Sequence, residues 1–125
     1  MNSRAEALKA RTKKFALDVL SFVDSWPATN NPGNRRIGSQ LCDAATSVAA
    51  NYRAACRARS RPEFAAKIGL VLEESDESSF WLECSEARAL GQAQARSYLL
   101  AEADELTSIF AAASITVRRS MANRR

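Results

Sequence analysis

Histidine occurs nowhere in this chain of 125 residues. That removes the Glu-x-x-His pairs with which bundle helices hold a di-iron centre, and the Ser-His and Cys-His arrangements that activate a nucleophile. Cysteine is scarce as well: Cys42, Cys56 and Cys84 are an odd number, widely spaced, in apolar contexts and without a Cys-x-x-Cys pair. Reduced thiols behaving as small buried hydrophobes are expected, the alternative being a redox or disulfide role. Glycine occurs four times and proline three, which favours long helices. No apolar run approaches the ~18 to 20 residues that a bilayer span needs. The opening MNSRAEALKARTKK lacks the uninterrupted apolar core of a secretory signal. The expected location is therefore the cytoplasm, with no membrane partner, and no metal or organic cofactor is implied.

What is present is a soluble globular composition, 46% hydrophobic and 26% charged, too apolar for intrinsic disorder. The length fits one domain over residues 1–125 that buries a single core, with a short basic tail from about residue 120. Four helices are predicted. The first, about Ala5 to Trp26, carries Leu8, Thr12, Phe15, Val19, Phe22 and Trp26 at alternating spacings of four and three. Pro27 and the string ATNNPGN break it, with Asn34 placed to cap the next helix. That second helix, about Arg35 to Cys56, has the stripe Ile37, Leu41, Ala45, Val48, Tyr52 and Ala55. Its Ala44, Ala45, Ala49 and Ala50 either admit a closely packed neighbour or reflect helix propensity alone.

Ser60 and Glu63 form a capping box around Pro62 and start the third helix, about Arg61 to Ala89. Its seam is Phe64, Ile68, Val71, Ser75, Ser78 and Leu82, and Gly91 suits the C-terminal cap. The last helix, about Gln92 to Ser120, presents Leu99, Leu106, Ile109, Phe110, Ala113 and Val117. Helices of about twenty-odd residues joined by short loops imply an all-α, antiparallel up-down-up-down four-helix bundle.

The residues Gln40-Leu41, Ala45 to Asn51, the basic turn Arg57 to Arg61, Glu63-Phe64 and the acidic run Glu73 to Leu82 form a set. Together they resemble the core of the bacterial four helix bundle protein family, whose founding members are encoded within intervening sequences of large-subunit ribosomal RNA genes. Related bundles are the accessory variability determinants of diversity-generating retroelements. One departure stands out: many members follow the Asn with Ile-Ala-Glu-Gly, where this chain has Tyr52-Arg53-Ala54-Ala55. The resemblance implies a basic, non-enzymatic bundle, often a ring-shaped homopentamer, linked to RNA or DNA or to a reverse transcriptase.

The formal charge of +4 is unevenly spread. Residues 1–17 carry Arg4, Lys9, Arg11, Lys13 and Lys14 against Glu6. Residues 35–67 carry Arg35, Arg36, Arg53, Arg57, Arg59, Arg61 and Lys67 against Asp43 and Glu63, and Arg118, Arg119, Arg124 and Arg125 close the chain. Residues 68–87 hold Glu73, Glu74, Asp76, Glu77, Glu83 and Glu86 with no basic residue. Guanidinium groups concentrated at Arg53, Arg57, Arg59 and Arg61 can grip phosphate oxygens. The candidate nucleic-acid-binding set adds Arg35, Arg36, Lys13, Lys14, Arg118 and Arg119. The plain alternative is a solvated rim with helix-to-helix ion pairs, in which Arg53 meets the acidic third helix. Neither an RNP nor a helix-turn-helix nor a zinc-finger pattern occurs, so any binding should be phosphate-driven.

Glu73 and Glu77, one turn apart, could serve as an acid and a base, but repeated surface acids on a helix more commonly form a solvated or partner-facing edge. Trp26 and Trp81 could stack on bases, although tryptophan beside a helical seam is ordinarily core or subunit interface. Two readings remain open: a nucleic-acid-associated oligomeric scaffold or accessory subunit, and a protein-interaction module whose positive rim docks an acidic surface.

Overall fold

The computed structural model describes residues 2–28 and 30–123, in four helices: α1 Ser3–Asp24, α2 Pro32–Cys56, α3 Arg61–Ala87 and α4 Ala93–Ala122. Three of the starts have a side-chain cause. Asn2 accepts from the Ala5 amide at 2.7 Å. Asn31 accepts from the amides of Gly33 and Asn34 at 3.0 and 3.3 Å, while Pro32 supplies a pre-set φ at the first helical position. The cap of α2 is thus Asn31, and Asn34 lies in the first turn. The Asn-Pro pair outcompetes the later asparagine because it supplies an acceptor and the helical φ together.

Ser60 accepts from the Glu63 amide at 3.1 Å as the capping box requires. The Glu63 carboxylate accepts from the Arg59 amide at 3.0 Å, one residue upstream of the expected partner. At the other end of the α2–α3 pair, Ala89 rather than Gly91 takes the left-handed position just past α3, at φ 54°. The Ala89 amide donates to Glu86 O at 3.0 Å and the Leu90 amide to Ser85 O at 2.9 Å, the paired bonds of a Schellman ending. An L side chain there costs roughly 1–2 kcal/mol, offset in part by its lower unfolded-state entropy. Ala89→Gly is expected to raise stability by about 0.5–1 kcal/mol, read as a rise in the denaturant midpoint; a fall would show the αL cost to be absent.

The predicted seams meet in the interior. Phe15, Val19, Phe22, Leu41, Ala45, Val48, Tyr52, Ile68, Val71, Leu82, Leu99, Leu106 and Phe110 are buried in one cluster, with Leu8, Phe64, Trp26 and Trp81 packed at its edge. Both tryptophans therefore belong to the core margin. The order round the bundle is α1, α2, α3, α4, with α4 closing against α1. On α3 the seam is unusually polar: Ser75, Ser78, Ser79 and Ser85 are buried. Ser75, Ser78 and Ser85 return their hydroxyls to the carbonyl one turn back at 2.8 to 2.9 Å, and Ser79 donates to Asp104 of α4 at 2.9 Å. Small satisfied hydroxyls let α2 and α4 come close without leaving a polar orphan. On α2, Ala44 and Ala45 are buried, whereas Ala49 and Ala50 line a surface groove.

Besides sharing the core cluster, α1 is tied to α4 by charge. Arg11 grips Glu102 with two bonds, Nε to Oε2 at 2.8 Å and Nη2 to Oε1 at 2.7 Å, and reaches Glu105 at 2.9 Å. Those bonds hold the Arg11 pKa above its ordinary value. A bidentate pair of this kind in a partly exposed setting contributes about 1 kcal/mol. Glu102→Ala is expected to lower stability by that amount in low salt, and by less in high salt; a salt-independent loss would assign the effect to packing.

Candidate nucleic-acid interface

α2 ends at Cys56, and Arg57, Ala58, Arg59 and Ser60 turn the chain into α3. Arg53 sits in the last turn of α2, where the carbonyl end of the helix favours a cation. Opposite it, α1 presents Glu6, Ala10, Lys13, Leu17 and Leu20 at spacings of four and three. Between the helices runs a groove of about 570 Å3 floored by Ala16, Leu17, Leu20, Ala49 and Ala50 and rimmed by Lys9, Lys13, Arg53 and Arg57. A second hollow under the turn shares Ala50, Arg53 and Arg57 with the first and adds Arg59, Glu63 and Lys67.

The two form one surface on which the six cations Lys9, Lys13, Arg53, Arg57, Arg59 and Lys67 face the two carboxylates Glu6 and Glu63. Glu6 lies 3.4 Å from Lys9 and Glu63 lies 3.9 Å from Arg59. Among the described residues, Lys13, Arg53, Arg57 and Lys67 enter no ion pair, so their charge is uncompensated. Arg53 thus does not reach the acids of α3.

The remaining candidates are dispersed. Lys14 turns toward α4, pairing with Asp18 at 2.6 Å and lying 5.6 Å over the Tyr98 ring; the Asp18 bond raises its pKa. Arg61 also turns to α4 and donates to the Ser120 hydroxyl. Through that contact the start of α3 and the end of α4 share one end of the bundle, where exposed Arg118 and Arg119 also lie. Arg35 and Arg36 begin α2 at the opposite end. Arg124 and Arg125 lie outside the described residues. Lys9 and Lys67 complete the surface and were not singled out from the sequence. A signal existed: Lys9 precedes Lys13 by four, and Lys67 follows Glu63 by four, so each pair shares a helix face.

The outward side of α3 has the opposite character. Leu70, Glu73, Glu77, Phe80 and Cys84, spaced three and four apart, form a stripe whose Leu70 and Phe80 are 40% and 54% exposed. Beside it Glu74 is pushed above the usual carboxylate range, by burial first and then by Glu77 and Glu73. The cysteines are all unbridged and half-buried. Burial, aided by Asp24 and Asp43, pushes the Cys42 thiol up and keeps it protonated, the wrong direction for a nucleophile. No cluster of three metal-ligating side chains occurs among the described residues, and none of their helices is long and apolar enough to cross a membrane.

A family model described as 23S rRNA-intervening sequence protein matches residues 7–112. The chain is similar to a crystal structure from Bacteroides thetaiotaomicron of a protein with unknown function from the S23 ribosomal protein family. That likeness has a TM-score of 0.74 at 22% identity, covering 85% of this chain and 96% of that one, and supports the fold. No curated protein matches.

Proposed function

This chain belongs to the 23S rRNA-intervening sequence protein family, and from that premise we propose that it is a non-enzymatic, self-assembling cytoplasmic scaffold whose basic surface holds the phosphate backbone of nucleic acid. The observation that carries this reading is the uncompensated cation surface joining α1, the α2–α3 turn and the start of α3. Guanidinium and ammonium groups with no carboxylate partner retain their full attraction for phosphate, and contacts of that kind fix affinity without reading sequence. An accessory role beside a nucleic-acid enzyme such as a reverse transcriptase would use the same cations. Titration of generic RNA and DNA oligonucleotides across a salt series tests it. Binding should be sequence-tolerant and should weaken steeply with salt; no binding at low salt would reject it.

The apolar floor at Leu17 and Leu20 favours a further feature, since a phosphate backbone leaves it uncovered. The α3 stripe of a second copy, acidic with Leu70 and Phe80 exposed, complements the α1–α2 groove in charge and in apolar character, which leaves the hollow under the turn, with Arg59, Lys67 and the groove-end Arg57, for phosphate. A helix seated between two helices also has ridges to match their groove. Because the stripe and the groove lie on different faces of one protomer, such pairing is head-to-tail, and a ring, for which the resemblance suggests five subunits, is its closed form. The runner-up, a docking module for another acidic protein, fills the same groove with a foreign helix. Light scattering should give a mass several times 13.7 kDa, and Glu73→Lys with Glu77→Lys should return it to one protomer. A parent that is monomeric at every concentration would leave the groove to the runner-up.

A further inference from the structure

α1 is pinned to α4 midway, at Arg11, and toward the basic end the two helices part. The gap is a groove of about 620 Å3, within the range of small-molecule sites. Its floor includes Leu8, Phe64, Ile109, Ala113 and Val117, and its mouth holds Arg4 and Arg61. No carboxylate lines it among the described residues. Arg4 and Arg61 form no ion pair there, and Arg61 is steadied by its bond to Ser120.

We infer that this groove is a binding site for a single-chain anionic amphiphile, a fatty acid, whose tail lies along the floor while its carboxylate meets Arg4 and Arg61. The pattern of polar groups selects this class. The polar side chains Asn2, Tyr52, Thr116 and Ser120 also line the groove, but most of its lining is apolar, which suits a hydrocarbon tail better than the polar edge of a nucleotide base. A neutral apolar molecule would draw nothing from the two guanidinium groups at the mouth, and a cationic one would be repelled by them. An apolar tail on the floor with one anionic head at the rim satisfies both parts at once. The site is separate from the α1–α2 groove and from the α3 stripe, so it stands or falls independently of the scaffold reading.

Calorimetric titration of the full chain with dodecanoate, and in parallel with dodecyltrimethylammonium, each below its micelle concentration, tests the inference. Dodecanoate should saturate at one per protomer with unchanged far-ultraviolet circular dichroism, and the cationic amphiphile should bind at least tenfold more weakly. Arg4→Gln with Arg61→Gln should weaken dodecanoate binding tenfold or more. Ala113→Phe, which fills the floor, should abolish it. Because the second change could disturb the core, the arginine pair, at an exposed and a half-exposed position, provides the independent arm. Equal binding of both amphiphiles, no saturable dodecanoate binding, or dodecanoate binding untouched by the arginine pair would overturn the assignment.

Discussion

Gly91→Ala is expected to lose about 3 kcal/mol of stability, combining roughly 1–2 for an L residue held left-handed and 1–3 for overpacking. Gly91 sits between α3 and α4 at φ 70°, and the space of its missing side chain is filled by Phe22 of α1 and by Trp26 just past it. A Cβ there would stand 2.8 Å from Trp26 Nε1 and 2.9 Å from Phe22 Cζ, with the Phe22 ring edge closer still. Those rings meet edge to face at 5.5 Å, so neither can yield without disturbing the other. The Trp26 Nε1 is buried with no hydrogen-bond partner among the described residues, which shows how closely the indole is enclosed. The same corner is tied by Arg96, which is buried and donates to Leu90 O at 2.7 Å and Gly91 O at 3.2 Å. Thermal melting should show a midpoint on the order of 10 °C lower. A shift within about 1 °C would mean that the corner opens freely.

Replacing Arg57, Arg59 and Lys67 together by Ala is expected to weaken oligonucleotide binding equally for all sequences while leaving the fold intact. None of the three is in the core cluster, and surface substitutions of this kind lie within about ±0.5 kcal/mol each. If each group neutralises one phosphate of a duplex, the slope of log K against log salt shrinks by about 0.9 per group. For three groups the slope falls by about 2.7, a loss of roughly 500-fold at 0.1 M relative to 1 M salt. Assembly should weaken far less than binding, because of the three only Arg57 rims the α1–α2 groove, where Lys9, Lys13, Arg53 and Leu17 remain. A folded triple variant with the parent's affinity and salt slope would remove the phosphate role. A variant that loses binding and assembly together would show that the two faces are one.

Much of the fold was legible because its causes are local. Ser60 and Glu63, three apart, announced the start of α3, and the spacing of Ile37, Leu41, Ala45, Val48, Tyr52 and Ala55 named the buried face of α2 before any neighbour was known. Local reading erred where two local solutions competed. Asn31 with Pro32 displaced Asn34 as a cap, and Ala89 took the left-handed position that a glycine two residues later seemed to offer, leaving Gly91 for a different need. That need was set by the rings of Phe22 and Trp26, more than sixty residues away in the chain.

The candidate surface divides in the same way. The sequence alone determined that cations gather at the α2–α3 turn, that residues 68–87 are acidic, and that no histidine is available for catalysis or metal binding, since these follow from composition and from neighbours along one helix. Only the tertiary structure decided that Lys9, Lys13 and Lys67 join Arg53 and Arg57, that Arg61 and Lys14 turn away toward α4, and that Arg35 and Arg36 stand at the far end. Each of those outcomes depends on how a helix is rotated about its axis and which neighbour it meets. The rotation comes from packing whole faces together, and the spacing of charges within one helix does not contain it.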